Sequence, residues 1–335
     1  MKWINIKDRW HYTKDRLSWP SSLHLVVKAP MALPKIPSLV HAIALSLMGI
    51  LLLDSMGAII KHLVTAYPAQ QLSAFRNFFG LFPSILILLL SSEWHETGRK
   101  IWIRQWKIAL SRGLFVAFAQ FFFYLSLYHL ALATASTLAF AGPLFVTALS
   151  VPILGDRVGA WRWLAVAVGF VGVVFILRPG SDVFTAYALL PIGAALGYAL
   201  SAVSVRLITD PMPSATINLY SHVGALFGST VFMLATSGYR PVASPEDWLW
   251  IVAMGTAGGF GVLFLVMAYR RTKPSNLAPF DYFGIPFAFA LGWIFFAEAP
   301  FDTLFPGFIF VVAGGLMIFW RERKQAVEVG RGPRE

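Results

Sequence analysis

The sequence predicts an all-α polytopic membrane protein of ten transmembrane helices, arranged as two inverted five-helix repeats. Three observations predict it: a composition too apolar for a water-soluble fold, ten apolar stretches of bilayer length, and a self-resemblance at an offset near 142 residues.

Of the 335 residues, 57% are apolar and only 13% charged, with a mean hydropathy of +0.67. Soluble domains carry about 25% charged residues, so this chain has too little polar surface to face water. The net charge of +11 suits either nucleic acid or anionic lipid. Its distribution along the chain, described below, favours the bilayer, and no nucleic-acid partner is expected. The chain has no cysteine, which removes disulfides and thiolate metal sites; neither metal nor cofactor is expected.

Residues 1–30 differ from the rest, being mixed in charge with no apolar core and no small-residue cleavage site. They are not a signal peptide. Two readings stay open. Lys2, Lys7, Arg9, Lys14 and Arg16 with Trp3, Trp10 and Trp19 fit a basic amphipathic tail on the cytoplasmic leaflet; equally, the start is over-extended and Met31 is the initiator. Residues 1–38 are assigned to a cytoplasmic tail.

About 20 apolar residues cross a bilayer as a helix. Such stretches lie at about 39–60, 72–92, 108–127, 132–153, 161–177, 185–205, 214–236, 248–269, 275–297 and 303–320. Short connections make neighbours antiparallel. With the N-terminus inside, cytoplasmic segments hold the basic residues of the tails together with Arg99, Lys100, Arg104, Lys107, Arg157, Arg162, Arg206, Arg270, Arg271 and Lys273. Outer segments hold only Lys61, Arg178 and Arg240. This is the positive-inside asymmetry, and a missed or extra span would scramble it. Both termini are therefore placed in the cytoplasm. Trp94, Trp102, Trp106, Trp161, Trp163, Trp248, Trp250 and Trp320 fall at span ends, as an interfacial belt requires.

The segment LAFAGPLFVTALSVPILGDRV (138–158) aligns with FDYFGIPFAFALGWIFFAEAP (280–300). Gly142 falls on Gly284, Leu149 on Leu291, Asp156 on Glu298 and Gly172 on Gly314; with slight drift, Lys61 falls near Arg206. Five spans per copy turn the second copy upside down, which puts Asp156 inside and Glu298 outside. The copies are assigned to 39–178 and 184–320, with a cytoplasmic tail at 321–335. Inverted repeats are a recurrent plan for secondary carriers, with the solute site between the copies near mid-membrane.

These features resemble the drug/metabolite transporter superfamily with two EamA-type domains. The matching residues are the Phe-Arg-Asn run at 75–77, the stretch from Thr134 through AGPLF (141–145) to LGDRV (154–158), GFVGVVFILRPG (169–180) and LAPFDYFGIPFAFALGWIFFAE (277–298). The resemblance covers roughly 40–320. Where that family commonly carries a glutamate after the fourth span, this chain has Asp156. The resemblance implies a bacterial inner-membrane carrier, monomeric or homodimeric, of a small organic solute.

Four charges lie within spans: Asp54, Arg76, Arg112 and Asp281. Each costs about 2.5–3.5 kcal/mol at a helix centre and should find a partner. Similar depths predict two ion pairs, Asp54–Arg76 near the outside and Arg112–Asp281 near the inside, serving as gates, substrate contacts or structural bridges. Asn77, Gln120, Tyr124, Ser136, Tyr198, Asn218, Tyr220, His222 and Tyr282 are the other polar groups at depth. Gln120, Tyr124 and Leu127 share a helical face able to stack on and hydrogen-bond a solute; His222 reads as a hydrogen-bonded packing residue or, alternatively, a proton relay. GTAGGFG (255–261) has no preceding strand, so Gly255 and Gly259 read as tight helix packing. Pro143, Pro152, Pro279 and Pro286 interrupt the fourth and ninth spans, where unwound backbone can meet a ligand.

Other function classes fit poorly. HExxH, GxSxG and GxGD signatures are absent, and Asp54 and Asp281 differ too much in depth to share a proton as an aspartyl dyad. A receptor needs neither inverted symmetry nor paired buried charges, and a channel would line its pore with rings of like charge. No ATP-hydrolysing unit is present. The span pattern with LAPFDYFG and FRNFFGLFP resembles the branch containing riboflavin and S-adenosylmethionine importers. Riboflavin uptake is the first expectation, with S-adenosylmethionine or amino-acid transport close behind.

Overall fold

Long runs of apolar residues with few helix breakers fold into helices, because in lipid each backbone N–H and C=O must be satisfied within its own segment. The computed structural model describes residues 38–102, 104–155, 159–178, 185–209, 213–236, 238–271, 277 and 280–329. The helices are α1 (Ser38–Leu63), α2 (Ala69–Leu89), α3 (Ser92–Glu96), α4 (Trp106–His129), α5 (Leu132–Ala139), α6 (Gly142–Leu154), α7 (Ala160–Leu177), α8 (Leu189–Ser204), α9 (Ser214–Ala235), α10 (Pro245–Arg271), α11 (Gly284–Phe296), α12 (Phe301–Leu304) and α13 (Gly307–Val329). The expected N-terminal tail, Asp156, Arg157, Lys273 and Pro279 lie outside the described residues.

Among the described residues, seven stretches are long and apolar enough to cross a membrane: Val40–Leu63, Ala69–Leu89, Trp106–His129, Leu132–Leu154, Ala186–Leu207, Ala215–Ala235 and Pro245–Ala268. Three shorter apolar helices, Trp163–Leu177, Gly284–Phe296 and Gly307–Met317, stand where the fifth, ninth and tenth spans were expected. The outer surface is apolar: Phe227, Leu234, Leu249, Ile294 and Phe295 are 65–70% exposed. In water such a surface would aggregate; in lipid it is the solvated face.

Helix pairing follows a pattern. α1 packs on α10 and α8 on α4; α4 packs on α9 and α10 on α2; α1 packs on α11 and α8 on α6. Exchanging the helices of 38–177 for their counterparts in 189–329 turns each of these pairings into its companion. The pairings α2–α9 and α7–α13 map onto themselves. Local geometry repeats too. α6 and α11 each have 13 residues, start at Gly142 and Gly284, and are capped by left-handed residues at Gly155 and Ala297. Start and cap thus share one offset, and Phe140 stacks on Tyr282, its partner at that offset, with ring centroids 5.6 Å apart.

The fourth stretch breaks between α5 and α6, but it tightens rather than unwinding. Ala141 N–H donates to Leu138 O at 3.1 Å, as Ile285 N–H does to Tyr282 O at 3.1 Å in the ninth. These i→i+3 bonds keep the backbone satisfied ahead of Pro143 and Pro286. α13 continues through the region expected as a C-terminal tail, to Val329. The glycines expected at a helix contact are at one. A Cβ on Gly255 would lie 2.3 Å from Phe79 Cβ, and one on Gly259 would lie 2.4 Å from Pro83 Cγ, so α10 meets α2 there.

Candidate substrate site

α2 carries a polar stripe, Ser73, Asn77, Gly80 and Ser84, at one helical face's spacing, and it faces α4 and α9. Ser73 Oγ donates to Gln120 Oε1 at 2.8 Å, and Asn77 Nδ2 donates to the same oxygen at 2.8 Å. Gln120 Nε2 returns a bond to Asn77 Oδ1 at 3.2 Å, and Asn77 Nδ2 also reaches Ser229 Oγ at 3.3 Å. Arg76 Nη1 donates to Asn77 Oδ1 at 3.1 Å and approaches His222 Nε2 at 3.2 Å. A guanidinium only donates, so His222 Nε2 accepts. Its Nδ1 then carries the proton and donates to Ser84 Oγ, 3.3 Å away. Gly80 makes room for the ring, since a Cβ there would lie 2.8 Å from His222 Nε2.

This network is buried. Asn77 is 0%, Gln120 3%, Arg76 6% and His222 8% exposed. Tyr124 and Tyr198 lie within electrostatic reach of the Arg76 guanidinium; the Tyr124 hydroxyl is buried without a hydrogen-bond partner, whereas Tyr198 keeps 39% of its surface exposed. Beside the network lies a cavity of about 550 Å³ between α2, α4 and α9. Phe118, Phe121, Phe122, Phe227 and Phe232 line it, and Ser73 and Ser229 of the network form part of its wall; it opens laterally onto the outer apolar surface, where Phe118 and Phe227 are 46% and 65% exposed.

The expected ion pairs are not formed. Arg76 turns to Asn77 and His222, while Asp54 Oδ2 on α1 is buried with no partner. Arg112 instead donates through Nε to Ser201 O at 3.0 Å and through Nη1 to Ser221 Oγ at 2.8 Å, tying α4 to α8 and α9. Similar depth does not give similar azimuth, and these side chains face different neighbours. Among the described residues the salt bridge is Lys61 Nζ–Glu298 Oε1, 2.9 Å. Lys61 also donates to Leu127 O and Leu130 O, at 3.2 and 2.6 Å, and Glu298 Oε2 accepts from Leu132 N at 3.1 Å. This clamp joins α1, the α4–α5 junction and the chain after α11.

Of the expected site residues, the structure brings together Arg76, Asn77, Gln120, Tyr124 and Tyr198. It leaves Asp54, Arg112 and Asp281 elsewhere, holds Tyr282 on Phe140, and leaves the Asn218 amide nitrogen on α9 buried without a partner. Ser73, Ser84, Ser229 and the clamp were missed. The α2 stripe was a readable signal for the first two, and the repeat alignment of Lys61 with Arg206 and Glu298 with Asp156 was one for the clamp.

A bundle of apolar helices with a lipid-facing exterior and a buried polar network beside a cavity defines a polytopic membrane transporter. The chain belongs to the EamA-like transporter family, whose model matches residues 38–178 and again 185–320. It is 28% identical over 265 residues to the pseudopaline exporter CntI of Pseudomonas aeruginosa, covering 78% of this chain and 88% of that protein. It is 24% identical over 277 residues to the S-adenosylmethionine uptake transporter of Rickettsia felis, covering 82% and 93%. It is 31% identical over 196 residues to the riboflavin transporter of Rhizobium johnstonii, covering 57% and 64%. A crystal structure at 19% identity superposes with a TM-score of 0.55 over 85% of this chain and 98% of the other, a likeness of fold.

Proposed function

We propose that this protein is a secondary carrier of ten spans in two inverted five-helix copies, both termini in the cytoplasm, in a bacterial inner membrane. The observation that carries this reading is the exchange of helix pairings between the halves, reinforced by the shared offset of α6 and α11. Two copies related in this way can rock about their common axis and expose one site to either side in turn. The solute we infer is a small metabolite with a flat ring. The phenylalanine-lined cavity suits stacking on a ring, and the polar network at its wall supplies hydrogen bonds. Riboflavin uptake is the leading reading. S-adenosylmethionine uptake or metabolite export is the second, supported by relatives of those names that align over more of the chain.

Purified protein in liposomes should accumulate radiolabelled riboflavin with saturable kinetics and without ATP. Saturable S-adenosylmethionine flux with riboflavin inert would transfer the reading to the second solute, and flux of neither would remove both. Cysteines placed singly in the loops at Gly98 and Thr65 should label from opposite sides of the membrane; labelling from one side would end the topology.

A further inference from the structure

We propose that the Nε–Nη2 edge of Arg76 is an anion subsite, which takes a carboxylate or phosphate of the transported solute; this rests on the carrier reading above. Among the described residues, the hydrogen bonds of this guanidinium are made by Nη1, to the neutral groups Asn77 and His222. Nε is buried with no partner, and no carboxylate lies within ion-pair distance among the described residues. A buried cation with neutral partners alone is costly, and an anion compensates it best side-on, through two parallel N–H donors.

The space beside that edge is also specific. Gly258 of α10 and Met56 of α1 face it: a Cβ added at Gly258 would lie 2.5 Å from Met56 Sδ, 3.1 Å from Nε and 3.2 Å from Nη2. The edge is thus flanked by the glycine backbone and the flexible end of Met56, a side chain that can swing aside for a ligand, where a side chain at 258 would crowd both. A buried cation with an unmatched Nε–H asks for an acceptor of negative charge. The chemistry separates the two candidate solutes. S-adenosylmethionine carries a carboxylate and riboflavin carries none, so riboflavin would engage this edge only as its 5′-phosphate.

The test is ligand-induced thermal stabilisation of the full chain in detergent, using matched pairs. These are S-adenosylmethionine against its decarboxylated form and riboflavin 5′-phosphate against riboflavin, with glutamate and inorganic phosphate as simple probes and chloride as the ionic-strength control. The charged member of at least one pair should bind ~10- to 100-fold more tightly, the range of one charge-assisted contact. The carboxylate and phosphate arms identify which anion is preferred. R76Q should erase the preference and R76K keep part of it. G258A, which retains the charge but crowds Met56 and the pairing edge, should erase it as well, in protein whose ligand-free melting temperature stays near that of the parent. Equal binding of charged and neutral members, a preference unchanged in R76Q and G258A, or stabilisation by none of the probes would each overturn the subsite. Anion-selective binding without any flux in liposomes would instead leave the subsite standing and remove the carrier.

Discussion

Lys61 and Arg76 are both cations held within the helix bundle, and they are finished to different degrees. Lys61 has three donors and three acceptors, Glu298 and the carbonyls of Leu127 and Leu130, and the second Glu298 oxygen is taken by Leu132 N–H. Arg76 has five donors, of which those on Nη1 meet neutral partners while Nε meets none. The lysine fastens helix ends and is complete within the protein. The arginine is poised for a partner the protein does not supply. Charges at depth are thus not one class, and counting their satisfied donors sorts fasteners from recognition groups.

Breaking the fastener should have the largest effect. E298Q leaves the Lys61 ammonium without its counter-ion, at a cost of about 2–3 kcal/mol for this partly buried pair, which lowers the melting temperature in detergent by roughly 4–8 °C. K61E combined with E298K should not restore stability, because a carboxylate at position 61 would face the Leu127 and Leu130 carbonyls; full recovery would show that charge alone matters at the clamp. Next is the network behind Arg76. Q120L strands the Ser73 hydroxyl and the Asn77 amide in a dry interior and should cost about 1–3 kcal/mol, read as a lower melting temperature. H222L removes an acceptor of Arg76, and a loss of about 1–2 kcal/mol is expected; an unchanged melting temperature would show that Arg76 does not depend on the imidazole.

The smallest effect concerns a phenol–carboxylate tie at the end of the bundle. Tyr67 in the loop between α1 and α2 donates to Asp247 Oδ2 at 2.6 Å. That hydrogen bond, with burial, raises its phenol above the usual value. A raised folded-state pKa means the contribution is present in full below the unfolded value near 10 and is lost as pH climbs through the folded one. Y67F should cost about 0.5–1 kcal/mol at pH 7 and flatten the alkaline loss of stability, which a melting series from pH 7 to 11 would read.

The apolar helices were legible because bilayer length is a one-dimensional signal. The helix α1 and the stretch around α4 stand within a few residues of where hydropathy put them. Pairing was not legible, because it depends on azimuth. Asp54 and Arg76 match in depth, yet Arg76 points toward α9 and α10, where Gly258 and His222 lie against it. The Asn77–Gln120 pair joins residues 43 apart in sequence, and only the polar stripe on α2 hinted at which face would receive it. The clamp spans 237 residues, with a lysine that topology counting treated as an outer-loop charge.

The seam between α7 and α13 has a consequence for the lipid around it. Gly172 meets Gly307 and Gly169 meets Gly314 so closely that a Cβ at any of them would fall within 2.5–2.6 Å of atoms on the facing or a neighbouring helix, and Trp161 and Trp320 sit ring to ring at one end, 6.2 Å apart. The apolar run of α7, Trp163–Leu177, is roughly 22 Å of helix against about 30 Å of hydrocarbon. Acyl chains along this narrow blade must shorten to match it, each ångström of mismatch costing a fraction of a kcal/mol. Bilayer thickness becomes a quantity the protein feels along one flank, and turnover in liposomes should fall as the lipid tails lengthen.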